Sequence, residues 1–307
     1  MILAAVLMAP SPLPAGPSLA WSEVVEQYVQ FAGYFLAIGA VGYRYLVLPR
    51  LSREANALLP MGRDAAATLG MIGMLLLLLS ALGTVEMNAI LHHKSFAESL
   101  PKSIGRFQFK IVALALTLIG FTLARRASAR FGWPMAAVGI LLTVLQPLAS
   151  GRLGGTVNAV HVLAASTWLG TLTVMLFAGI RALTRGSTPD VSRQRIVADI
   201  VNAFSPVALT AASVLVLTGG TTAWIHLKRV SSLWETNYGR MLILKLCLVA
   251  CVVALGAWNW KRMKPALGVE ENENTAAGIE RSATAEVVMG AIVLLATAIL
   301  VSLPSPK

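Results

Sequence analysis

Residues 153–180 read Leu153-GGTVNAVHVLAASTWLGTLTVMLFAG-Ile180, a run of 28 positions without one Asp, Glu, Lys or Arg, bounded by Arg152 and Arg181. About 20 apolar residues suffice for a helix to cross a bilayer, so this stretch predicts a membrane span. His161 stands near its start. An imidazole is costly to keep in hydrocarbon, which makes it a candidate functional group. On a helix, Asn158, Ala164, Ala165 and Trp168 fall on the same face as His161, at i−3, i+3, i+4 and i+7. The two alanines leave room for a ligand beside the ring, and Trp168 would form the pocket floor. The competing reading is a histidine that bonds a neighbouring helix for packing alone.

The rest of the chain fits the same class. It is 56% hydrophobic and 13% charged, with a mean hydropathy of +0.72, the composition of a polytopic membrane protein. Eight apolar segments reach spanning length, near 24–48, 65–85, 107–124, 134–150, 157–180, 201–226, 239–260 and 284–303. The expected fold is therefore an all-α bundle of about eight transmembrane helices. Pro49, Pro134, Pro265 and Pro304 fall at or just beyond proposed ends, where a proline disturbs a helix least. Residues 1–22 read as an outward-lying arm or uncleaved signal-like segment, with an apolar stretch over 2–9 too short to span. Residues 23–150 form a first four-helix half and 151–307 a second. No internal repeat or low-complexity tract is evident. The longest hydrophilic connection, 266–282, reads as a flexible loop.

The net charge of +11 does not point to nucleic acid, because the basic residues punctuate apolar runs. They read as topology signals instead. One face of the bundle receives 15 of them (Arg44, Arg50, Arg53, Arg63, Arg125, Arg126, Arg130, Arg181, Arg185, Arg193, Arg195, Lys261, Arg262, Lys264 and Arg281) and the other 8. The richer face is expected to be cytoplasmic, which puts both termini outside. His92, His93, His161 and His226 then all fall at the outer end.

Imidazole is a common metal ligand, and thioether sulfur suits Cu(I). His161, His226, His92 and His93, with Met87 nearby, form a candidate copper site, with Met241 opening the seventh span on the same side. Adjacent residues on a helix point about 100° apart, so His92 and His93 can share an ion only from a loop or distorted turn. Cys247 and Cys251, at i and i+4, and the intramembrane carboxylate Glu286 are candidates for an inner relay. Their bland readings are a small apolar filler for the thiols and a local pair with Arg281 or Arg262 for Glu286. Lys245, inside the seventh span, is expected to snorkel outward. No hydrolase, kinase or metalloprotease signature is present, so no enzymatic activity is expected.

The ordered set His161-VLAASTW-Leu169-Gly170, Phe204-Ser205 opening a helix that ends Leu217-Thr218-Gly219, Tyr238-Gly239-Arg240 with Lys245, Asn259 before Lys261-Arg262, Glu286, and Val301-Ser302-Leu303-Pro304 resembles the CopD (copper resistance protein D) family of bacterial membrane proteins. The resemblance spans about 157–304. It implies copper, as Cu(I) or Cu(II), handled in the inner membrane and moved from periplasm to cytoplasm, with a periplasmic CopC-type partner. His161 matches the family's histidine at the head of this helix. One position departs: Ser150-Gly151-Arg152 stands where the family often has Ser-Gly-His. Two other readings remain. His161 and His226 on facing helices would ligate b-type haem axially, or the chain is a metal-free accessory subunit of a larger membrane complex.

Overall fold

The computed structural model describes residues 20–52, 60–126, 128–181, 190–227, 229–258 and 274–304. The arm before residue 20, Arg53, Arg185, Lys228, Asn259, Lys261, Arg262, Lys264, Pro265, Glu270, Glu271 and Glu273 lie outside them. Among the described residues no strand occurs. Eight helices are long and apolar enough to span a membrane: Trp21–Arg50 (α1), Gly62–Leu91 (α2), Phe107–Arg126 (α3), Ala129–Ala149 (α4), Leu153–Ile180 (α5), Arg195–Leu227 (α6), Asn237–Trp258 (α7) and Glu280–Ser302 (α8). The chain is thus an all-α, multi-pass membrane bundle.

Three local readings change. Pro134 lies inside α4 rather than at its start, as do Pro101 in the helix leading into α3 and Pro206 in α6. Leu217-Thr218-Gly219 is interior to α6, which continues to Leu227. A single helical turn, Ser232–Glu235, precedes α7.

Lipid tails are as apolar as the side chains, so burial of apolar area cannot alone hold such helices together; close backbone approach at small residues does much of it. The two most enclosed helices, α1 and α5, show this. A Cβ added to Gly39 would meet the Gly170 backbone, and one on Gly170 would meet the Phe35 carbonyl. Of the most apolar stretch of α5, 72% is buried, against 11% for α7, which packs mainly on α8. The seam is further shaped by wide π-helical turns at Tyr43–Val47, Ser166–Gly170 and Met175–Ile180, a form frequent at functional positions. Intramembrane hydroxyls mostly bond the carbonyl four residues back, as Thr117 does to Ala113 and Thr143 to Gly139, so few face lipid unpaired.

Neighbouring spans run antiparallel. Glu26 of α1 meets Thr84 of α2, whereas Gly33 meets Leu77 and Gly73. His161 of α5 meets Thr218 of α6, whereas Gly179 meets Ile200. The alternation collects the ends of α2 and α6 and the starts of α5 and α7 at one end of the bundle, called here the histidine end. At the opposite end Arg181 pairs with Glu280 at 3.3 Å and lies over the Phe177 ring, fastening α5 to α8.

Candidate functional site

His161 is half-buried in α5, and its Nδ1 lies 2.9 Å from Thr218 Oγ1 of α6. The threonine hydroxyl has one proton. It is placed 2.7 Å from the Val214 carbonyl, an oxygen that can only accept; when the hydroxyl donates there, its lone pair accepts the Nδ1–H of His161. In that tautomer Nε2 carries the lone pair and is free to accept, with Thr218 orienting the ring as hydrogen-bond partners orient metal-bound imidazoles. Gly219 completes the cradle, since a Cβ there would sit 3.4 Å from His161 Cε1. Lys245 of α7 is half-buried and within electrostatic reach of the imidazole. Instead of only snorkelling outward, it contributes a charge to the site.

The remaining candidates are distributed differently from the sequence expectation. Asn158 is exposed while Ala164 and Trp168 are buried; the π-helical turn at Ser166–Gly170 widens the register, so the i+7 relation does not keep Trp168 on the face of His161. Trp168 belongs to the central core. His226 gives its Nδ1–H to the Thr222 carbonyl at 2.9 Å and stacks on Tyr238, ring centres 6.1 Å apart. Met241 packs against the same Tyr238–Leu242–Leu300 cluster.

Thr218, Thr222 and His226 follow at i, i+4 and i+8 along one face of α6. His226 therefore lies about 12 Å along the axis from the level of Thr218, whereas two ligands of one ion stand about 4 Å apart. This spacing keeps the two imidazoles at separate levels of the bundle rather than in one coordination shell. It also does not supply the facing axial pair that haem would need, because Thr218 and not a histidine stands opposite His161.

His92 donates Nδ1–H to the Asn88 carbonyl at 2.8 Å, and His93 has a left-handed φ of 52°. Both are exposed, just past the end of α2, and Met87 is half-buried one turn earlier. They do not join His161, because α2 meets α5 over Met175–Ile180, at the opposite end. Among the described residues no three His, Cys, Asp or Glu side chains converge on a volume fit for one metal ion. Cys247 and Cys251 are exposed on α7, on its lipid side. Glu286 of α8 is buried, directed toward Gly256 of α7. The sequence expectation missed Thr218 as a partner and the charge of Lys245 as part of the site; the spacing of Thr218, Thr222 and His226 on one helix face was the available signal.

Two comparisons with known proteins bear on this site. The family model described as copper resistance protein D (CopD) matches residues 198–300. The copper transport protein CutJ of Bacillus subtilis (strain 168) is 29% identical over 153 residues, which is 50% of this chain and 26% of that protein. The chain thus spans about a quarter of that relative's length. No solved structure matches. Residues 198–300, which supply Thr218, His226, Lys245 and Glu286, are thus similar to the copper resistance protein D family.

Proposed function

We propose that the chain binds copper at His161 and conducts it through the membrane, with no catalytic step. The observation that carries this reading is the His161–Thr218 pair: one imidazole held by its Nδ1 with Nε2 free to ligate, its hydroxyl partner inside the segment similar to the CopD family. The copper-transport relative and the membrane bundle support the same class of function. In this reading copper is the cargo, and His226 with the Met241 cluster is an entrance station about two turns above His161. The histidine end faces the periplasm of a bacterial inner membrane, because the opposite end gathers the larger share of basic residues. Exposed His92 and His93 would receive copper there from a soluble CopC-like carrier, and conduction runs inward.

Metal analysis of the purified chain, paired with copper accumulation in cells, tests this. Wild type is expected to hold copper that His161→Ala loses, with cellular accumulation falling in parallel. Unchanged metal content and unchanged accumulation in His161→Ala would sink the copper reading.

A further inference from the structure

The first half contains a polar cluster that the copper reading does not use. Glu26 of α1 and Thr84 of α2 are joined by a hydrogen bond of 2.5 Å between Oε1 and Oγ1. Lys110 of α3 lies within electrostatic reach of the Glu26 carboxylate. All three are half-buried and within spans, where ionisable side chains are rare and functional by default. Asn88 donates to the Thr84 carbonyl at 2.9 Å and His92 to the Asn88 carbonyl at 2.8 Å. Thr84, Asn88 and His92 thus form a polar stripe from the cluster to the exposed end of α2.

This cluster has a counterpart. Glu26, Thr84, His92 and Lys110 stand 134 or 135 positions before His161, Thr218, His226 and Lys245, and Gly105-Arg106 stands 134 before Gly239-Arg240. The two halves thus carry similar groups at matching positions, although the side chain at the key position differs, Glu26 against His161. In each half a helix carries an ionisable group to a threonine of the next helix. That threonine also bonds the carbonyl four residues back, Ser80 at 3.0 Å and Val214 at 2.7 Å. A lysine from the third helix stands by.

The Thr84 hydroxyl again has one proton for two neighbours. With Glu26 ionised, it donates to the carboxylate, and the short separation is that of a charge-assisted bond. With Glu26 protonated, the carboxyl donates to Thr84 Oγ1, and Thr84 turns its own proton to the Ser80 carbonyl. Both states are satisfied without moving a heavy atom. Lys110 balances the ionised state; from α2 the group facing Glu26 is the neutral Thr84.

We propose that Glu26, Thr84 and Lys110 form a proton-binding site in the first half, the counterpart of the metal-binding site in the second. The carboxylate takes up one proton to become the neutral acid and returns it from the same position. If the chain conducts copper, which rests on the reading above, this site is where proton movement is linked to it.

Infrared difference spectra of the purified full chain, acid minus alkaline, test the site without copper. Wild type should show a protonated-carboxyl band that Glu26→Gln lacks. The glutamine carbonyl can still accept from Thr84, so the interhelical bond and the fold are kept. Thr84→Val, which retains Glu26, should shift the band by removing its acceptor. Identical spectra for wild type and Glu26→Gln, or a band that Thr84→Val leaves unmoved, would overturn the proposal.

Copper uptake into proteoliposomes with and without an imposed pH gradient tests the link. Stimulation by the gradient in wild type should be lost in Glu26→Gln. Equal stimulation in both overturns the link. Failure of wild type to move copper at all overturns the transport reading, while the infrared result still decides the proton site.

Discussion

The first and second halves of this bundle place the same three-helix device around different chemistry. In α1–α3 the device holds a carboxylate with a lysine as its counter-charge. In α5–α7 it holds an imidazole with a lysine as a like charge once a cation binds. A carboxylate is a hard oxygen base suited to a proton, and a neutral imidazole suits copper. The scaffold element common to both is the threonine, whose single proton can be directed along its own helix or across to its neighbour. In the proposed reading, the exchange of Glu26 for His161 at the matching position is what gives each half its ligand.

The largest effect is expected where the halves touch. Gly39 and Gly170 come from opposite halves, and any side chain at 170 would meet the Phe35 carbonyl. Gly170→Leu should force α1 from α5 and cost about 3 kcal/mol or more. The check is recovery of monodisperse protein in detergent; full recovery with unchanged melting would show that the halves do not depend on this seam.

The orienting threonine comes next. Thr218→Val removes the acceptor for His161 Nδ1–H and should lower copper affinity about 10–100-fold, measured by competition with a chromogenic chelator. Thr84→Val should leave copper affinity within about twofold, because its site lies in the other half. Equal losses from the two substitutions would mean that the halves share one metal site.

Lys245 gives a smaller change of opposite sign. Unit charges roughly 10 Å apart interact by about 1.7 kcal/mol at an effective dielectric constant of about 20, and Lys245 opposes a cation at His161. Lys245→Met is therefore expected to tighten copper binding by about tenfold in the same competition assay. Weakened binding would instead assign the lysine to holding an anion that accompanies the metal.

Most of the fold was legible in the chain because apolar length is a local property: all eight spans follow from runs such as 153–180. The π-helical turns were not, since nothing in Ser166–Gly170 distinguishes a wide turn from an ordinary one; the wide turn arises where α5 meets α1. His161 was legible because its cost in hydrocarbon shows in any uncharged run. Glu26 was not: it sits five residues into α1, in a segment with Glu23, and reads as an interfacial charge. Its role emerges only when α2 brings Thr84 against it and α3 brings Lys110. Thr218 was hidden for a similar reason, as intramembrane threonines usually bond their own helix and look inert.

The cysteines set the lower limit of the comparison. Cys247 and Cys251 occupy one face of α7, the spacing that a soft-metal relay would have, yet both are exposed and α7 is the least enclosed helix. Thiols directed at lipid, on the far side of α7 from buried Glu286, would have to rotate by half a turn of the helix to meet cargo inside the bundle. The paired substitution Cys247→Ser and Cys251→Ser should then change stability by no more than about 0.5 kcal/mol, as surface replacements away from packed features usually do, and leave copper accumulation at the wild-type level. A loss of accumulation at unchanged protein level would put the cargo on the outer surface of α7 and move the soft-ligand chemistry of the second half away from His161.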